Sequence, residues 1–201
     1  MRRVVVTGVG VVAPNGFGRE AFWSACVNGK SGVGPIRSFD ASSLPVGIAG
    51  EVPEFDITPF LPSVHRKSLK IMGRGARFGV AAAGLAVCDS GLDLSRENPE
   101  RVGVVMGGGL VPIDLPEVAP LVSGAINGDG RLHLERLGNA GKDTLFPLWL
   151  LKYLPNMTAA HISLVHGAQG PNSTIVTACA AGTQAVGEAF RLIAREDADI
   201  V

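Results

Sequence analysis

A layered α/β fold is predicted by three features of the 201-residue sequence. β-branched runs at 4–7 ("VVVT"), 101–106 ("RVGVVM") and 173–176 ("STIV") read as strands. Two long segments, 68–90 and 180–196, repeat their apolar residues at helical spacing. Hydrophobic residues make up 46% of the chain and the mean hydropathy is +0.29, enough to cover a sizeable core.

The first strand is Val4–Thr7, and Gly8 to Pro14 carry the chain out of it. "GVGVVA" at 8–13 imitates a dinucleotide fingerprint, but Pro14 and Asn15-Gly16 stand where a helix has to be under way. Glu20–Val27 reads as a short helix closed by Asn28-Gly29, with Phe22 and Cys26 on one face, so Cys26 is assigned to the core. Residues 30–64 are rich in Gly, Pro and Ser and offer a short strand near Val46–Val52. In the helix of 68–90, Phe78, Ala82, Leu85, Ala81 and Cys88 form the apolar stripe, and Gly91 ends it; Cys88 is therefore structural.

The strand at 101–110 empties into three glycines without the Gly-Lys-Ser/Thr of a phosphate cradle, so a close backbone approach to a ligand is expected there. Residues 111–145 read as an irregular insertion near that site. Residues 147–153 are apolar and helical in tendency, and 155–167 form a further helix. His161 and His166 stand five apart on it, which is not the same-face spacing of a metal pair, and no metal is expected. On the last helix Gln184, Glu188, Arg191 and Arg195 make a polar face, with Ala185, Val186, Ala189, Phe190 and Ile193 opposite.

Several function classes are excluded. Eighteen basic and 18 acidic residues cancel, so nucleic acid is not an expected partner. Cys26, Cys88 and Cys179 have no regular spacing, which argues against a disulfide framework or zinc site and for a reducing, cytoplasmic compartment. The N-terminal run is glycine-broken and lacks a cleavage pattern, and the apolar stretch 78–88 is too short to span a bilayer.

Cys179 falls where the strand at 173–178 turns into the last helix. A helix N-terminus favours a thiolate, and Ala178, Ala180, Ala181 and Gly182 leave room for a carbonyl to reach sulfur. Free backbone N–H groups at such a turn can hold the oxyanion formed on attack. A small buried thiol would occupy the same position, and local chemistry leaves both readings open.

"GAQGPNSTIVTACAAGTQAVGEAF" (167–190) resembles the active-site segment of the β-ketoacyl-acyl carrier protein synthases, condensing enzymes of the thiolase fold. "VVVTGVGVVAPNG", "GKSGVGPI", "PNMTAAHIS" and "DADIV" match that family in the same order along nearly the whole chain. The resemblance implies a thiolase-like α/β fold, with helices layered around a mostly parallel mixed sheet, and makes residues 1–201 the N-terminal half of a two-half architecture. It implies that Cys179 accepts an acyl group from acyl carrier protein. A malonyl group on the same kind of carrier then loses CO₂ and extends the chain by two carbons. Ala178 and Leu110 align with acyl-pocket positions, and the Cys179 N–H with one side of an oxyanion hole.

No cofactor is implied, and the full-length protein is expected to be a homodimer. Two histidines and a lysine that assist decarboxylation belong to the second half; none of His65, His133, His161 or His166 matches them. The chain departs from the family at Ala180-Ala181, where Ser or Thr is frequent, at Gly73 after Met72, and at "LVPIDLP" after the glycines. Two other readings share the fold: a non-catalytic partner subunit of the chain-length-factor kind, and an enzyme using coenzyme A directly. Cys179 favours catalysis over the first, and the motif set favours the carrier-protein branch over the second.

Overall fold

The computed structural model describes residues 2–109, 113–128 and 130–201. In chain order the elements are β1 (Val12–Ala13), β2 (Gly16–Phe17), α1 (Arg19–Val27), β3 (Val33–Pro35), β4 (Ile48–Gly50), α2 (Arg74–Ser90) and β5 (Val104–Gly108). Then follow α3 (Leu115–Ala125), α4 (Leu134–Thr144), α5 (Met157–His166), β6 (Asn172–Val176) and α6 (Ala181–Ala194).

The centre is a parallel pair. β5 and β6 run in register from Val104↔Asn172 to Gly108↔Val176. Beside it Val102 bridges Ile200 in parallel, backed by Gly103 N–H donating to the Ile200 carbonyl at 2.8 Å. β1–β2 and β3–β4 are short antiparallel hairpins. A core of Ile57, Leu61, Met72, Ala76, Val80, Ala81, Val102, Val104, Ala159 and Ile162 joins α2 and α5 to β5. Small side chains on α2 and α5 let the helices settle closely on the pair, as dense interior packing requires.

Several expectations need correction. Val4–Thr7 enters no ladder among the described residues, and Val5 and Val6 are exposed. β-branched density favours a strand only where another backbone is present to pair with it. The next residues instead press on a helix: a Cβ at Gly10 would lie 1.9 Å from the Ala82 carbonyl oxygen, so the glycines of "GVGVVA" serve helix contact. The predicted helix 68–90 begins at Arg74, because Met72 and Gly73 are extended and Ser63–Ile71 coils as 3₁₀ turns. Its end at a left-handed Gly91 (φ 69°) is as expected.

Cys26 and Cys88 are exposed, since the core claims Ala25 on α1 and Ala76, Val80 and Ala81 on α2. On α6 the buried residues are Ala181, Ala185 and Leu192, and Val186 is 69% exposed, so the apolar face is turned from the predicted one. Most of the stretch expected to be irregular is a helical hairpin, α3–α4, despite Pro120 inside α3. No described helix is long and apolar enough to cross a membrane.

Candidate active site

Cys179 sits on a bend imposed by the two elements it joins. β6 ends at Val176, Thr177 leaves it at φ −131°, ψ 43°, and Ala178–Ala180 make a 3₁₀ turn into α6. Ala178 adopts φ 49°, a left-handed conformation that costs a non-glycine residue energy and is retained only where the surroundings impose it. Those surroundings are visible. The Thr177 hydroxyl donates to Gln184 Oε1 at 2.6 Å, and Ala180 N–H donates to the Thr177 carbonyl at 3.1 Å. α6 is pressed onto β5 so closely that a Cβ at Gly107 would lie 2.5 Å from the Ala181 carbonyl oxygen.

The Cys179 thiol is free and exposed, and its backbone N–H has no acceptor among the described residues. The turn thus presents a sulfur, an unused N–H donor and small neighbours on one exposed bend. A thiol can attack a carbonyl, and an N–H donor can support the oxyanion that forms. Within the glycine run, Gly107 admits a close approach by α6 itself, while Gly108 and Gly109 have room beside them.

A cavity of about 480 Å³ lies against the parallel pair, touching it at Met106–Gly108 and Thr174. It is walled by Gly10–Val12 and α2 on one side, by Met106–Gly109 of the glycine run, and by Lys152, Met157, Thr158 and Thr174. Of the residues assigned to an acyl pocket, Ala178 stands next to Cys179 in the turn and is not among the lining residues. Leu110 lies outside the described residues.

Sequence reasoning overlooked a polar cluster at the cavity wall. Glu117, in the first turn of α3, accepts from Trp149 Nε1 at 2.9 Å and from the Tyr153 hydroxyl at 2.7 Å, and it pairs with Lys152. The Lys152 contact is the main reason the Glu117 carboxyl titrates below its usual range; the Tyr153 and Trp149 donors act the same way. Burial pulls the Lys152 ammonium down, but the Glu117 contact and neighbouring charges outweigh it and the net direction is up. Burial raises the Tyr153 phenol. Pro116-Glu117, a helix-opening pair, was the available signal, but its partners lie more than 30 residues away.

The histidines form no second site. His161 is 1% exposed with neither ring nitrogen hydrogen-bonded, and His166 Nε2 is likewise buried and unpaired. Burial lowers the pKa of both. No cluster of His, Cys, Asp and Glu that could hold a metal occurs among the described residues.

Fold and turn together define an α/β protein that presents a cysteine at a strand-to-helix junction. The family model described as "Beta-ketoacyl synthase, N-terminal domain" matches residues 1–201. The chain belongs to the β-ketoacyl synthase family and carries its N-terminal domain. Over 198 residues it is 35% identical to a 3-oxoacyl-[acyl-carrier-protein] synthase 2 of Vibrio harveyi, covering 98% of this chain and 44% of that protein.

Among solved structures, the ishigamide ketosynthase/chain length factor superposes with a TM-score of 0.77 at 28% identity, over 98% of this chain and 45% of that one. A type II polyketide ketosynthase in complex with its acyl-carrier protein superposes at 0.69 over 96% of this chain and 47% of that one; at 23% identity it speaks for the fold alone. The chain therefore spans less than half the length of these relatives.

Proposed function

We propose that the chain supplies the acyl-accepting half of a β-ketoacyl-acyl carrier protein synthase, an acyltransferase of fatty-acid or polyketide synthesis. The observation that carries this reading is the exposed Cys179, with its unused N–H, on the strained turn between β6 and α6. The Cys179 thiolate attacks the thioester carbonyl of an acyl group on acyl carrier protein. The Cys179 N–H supports the oxyanion, the carbon–sulfur bond to the carrier breaks, and the carrier thiolate leaves to take up a proton.

The acyl chain then takes the cavity lined by the glycine run, with Ala178 and Leu110 as the acyl-pocket residues that the family resemblance implies. In the second step a malonyl group on carrier protein loses CO₂. Its carbanion attacks the acyl-enzyme carbonyl and releases the Cys179 sulfur, giving a product two carbons longer. The groups that assist decarboxylation come from the second half of the architecture. That half completes the layered, mostly parallel sheet and the homodimer, in the cytoplasm.

The test is intact-mass analysis after incubation with an acyl-carrier protein thioester. One acyl mass is expected on the protein and none on Cys179→Ala. An unacylated wild-type protein, or a Cys179→Ala variant that still gains the mass, would overturn the assignment. Residues 1–201 by themselves are expected to release no CO₂ from malonyl carrier protein.

A second reading, a partner subunit of the chain-length-factor kind, is favoured by the likeness to the ishigamide ketosynthase/chain length factor. It predicts an inert Cys179 in the same experiment.

A further inference from the structure

Glu117 is unusual in how many donors it gathers from one short segment. The 3₁₀ turn Trp149–Lys152 and the adjoining Tyr153 turn three different groups, an indole N–H, an ammonium and a phenol, onto a single carboxylate. Charge-assisted hydrogen bonds of this kind are the strong ones, and gathering three in a half-buried place is costly unless the geometry is held. The Tyr153 hydroxyl also accepts from the Asp114 N–H at 3.3 Å, so the start of α3 is tied twice to the same turn. The Trp149 and Tyr153 rings pack at 4.8 Å beneath it.

The same turn also borders the cavity. Lys152 lines it together with Leu154 and Pro155, and the Lys152 carbonyl oxygen lies so near Gly73 that a Cβ there would be 2.9 Å away. The turn is thus clamped between the start of α2 and Glu117. α3, by contrast, packs mainly on α4 and leaves Leu115 and Ile126 exposed.

We infer that Glu117 is a positioning residue: its carboxylate latches the α3–α4 hairpin to the turn Trp149–Lys152 and thereby fixes one wall of the cavity, which sets the length of acyl chain accepted. The last clause rests on the proposed function; the latch itself does not.

Two variants separate its parts. Glu117→Gln keeps an acceptor for Trp149 and Tyr153 but loses the ion pair, and Glu117→Ala loses both. In hydrogen exchange on the full-length protein, Glu117→Ala is expected to speed exchange in 115–125 and 149–153 by about tenfold or more, as loss of charged hydrogen bonds predicts. Glu117→Gln should fall between it and wild type. β5, β6 and α6 should exchange as in wild type. In a Trp23→Phe background, Trp149 emission should shift to the red in Glu117→Ala.

Acyl-enzyme mass spectrometry across a chain-length series should show a longer or broader range of acyl groups on Cys179 in Glu117→Ala. Unchanged exchange in 115–125 and 149–153 overturns the latch. So does faster exchange spread evenly over β5, β6 and α6, which would make Glu117 a general stability residue. An unchanged chain-length profile, with the exchange effect present, overturns the link to selectivity. Absence of any acylation of the wild-type protein overturns the proposed function and leaves the exchange result to judge the latch.

Discussion

Val80, Ala81 and Ala159 lose nearly all contact with water in the unit built from β5, β6, α2, α5 and α6, whereas the α3–α4 hairpin buries Leu121 and Ala125 but keeps Leu115, Ile126 and Leu134 exposed. The first region is held by apolar burial and by backbones that approach until only glycine fits; the second meets the cavity wall through the carboxylate of Glu117. The difference bears on function. Cys179 is carried by the packed region, where a strained Ala178 can be imposed, and the less packed hairpin reaches the cavity only indirectly, through the Glu117 contact to Lys152, which lines it. A scaffold of this kind holds its reactive atom still and leaves the pocket free to vary.

The comparison is broken most severely if core and hairpin respond alike to truncation. Met72→Ala should cost about 2–5 kcal/mol, because a buried side chain leaves a cavity behind. Leu134→Ala, at a site 75% exposed, should stay within about 0.5 kcal/mol. Denaturant midpoints at unchanged slope would measure both.

Inside the packed region, Gly107→Ala should cost about 1–3 kcal/mol or more, since the new methyl meets the Ala181 backbone. Gly108→Ala meets only the Thr174 methyl at an ordinary 3.7 Å and should be within about 0.5 kcal/mol. Equal midpoints for the two glycine variants would mean that α6 does not rest on β5 as described.

A smaller effect sharpens the contrast through pH. His161 and His166 are buried with lowered pKa, so the unfolded chain binds protons more readily than the folded one. Their contribution is complete above the unfolded histidine pKa, about 6.5, and stability is lost as pH falls below it. His161→Leu should flatten that acid-side decline. A steeper or unaltered decline would show that burial of His161 is not its cause.

The smallest effect concerns the edge of the packed region. Asp199 accepts from Arg101 at 3.0 and 3.1 Å and pairs with Arg2, and these contacts hold its carboxyl well below the usual range. All three side chains are solvent-accessible, so Asp199→Asn should lower the midpoint less than any core substitution. The difference should fade in about 1 M salt, where such charges are screened.

What the sequence made legible follows the same division. β5, β6, α5 and the start of α6 were readable because β-branched runs, helical spacing and end-glycines are local signals. Burial was not, because which face of α1, α2 or α6 meets the core depends on partners distant in sequence; Cys26, Cys88 and Val186 show it. Gly124, Gly138, Gly141 and Pro120 hid the helices of α3–α4, whose packing on each other offsets poor propensity. At the site, the position of Cys179 could be read from the strand-to-helix switch. The left-handed Ala178 and the gathering of Trp149, Lys152 and Tyr153 on Glu117 could not, since both are imposed by tertiary contacts.

The most direct test of the central claim is competitive labelling of the three thiols with iodoacetamide, read by peptide mapping. Cys26, Cys88 and Cys179 are all exposed, so accessibility alone would label them alike. If the turn before α6 activates its cysteine, Cys179 labels first, and prior incubation with an acyl-carrier protein thioester protects it while Cys26 and Cys88 react as before. Labelling of Cys179 at the same rate as the other two or slower, with no protection by the acyl thioester, would contradict the account.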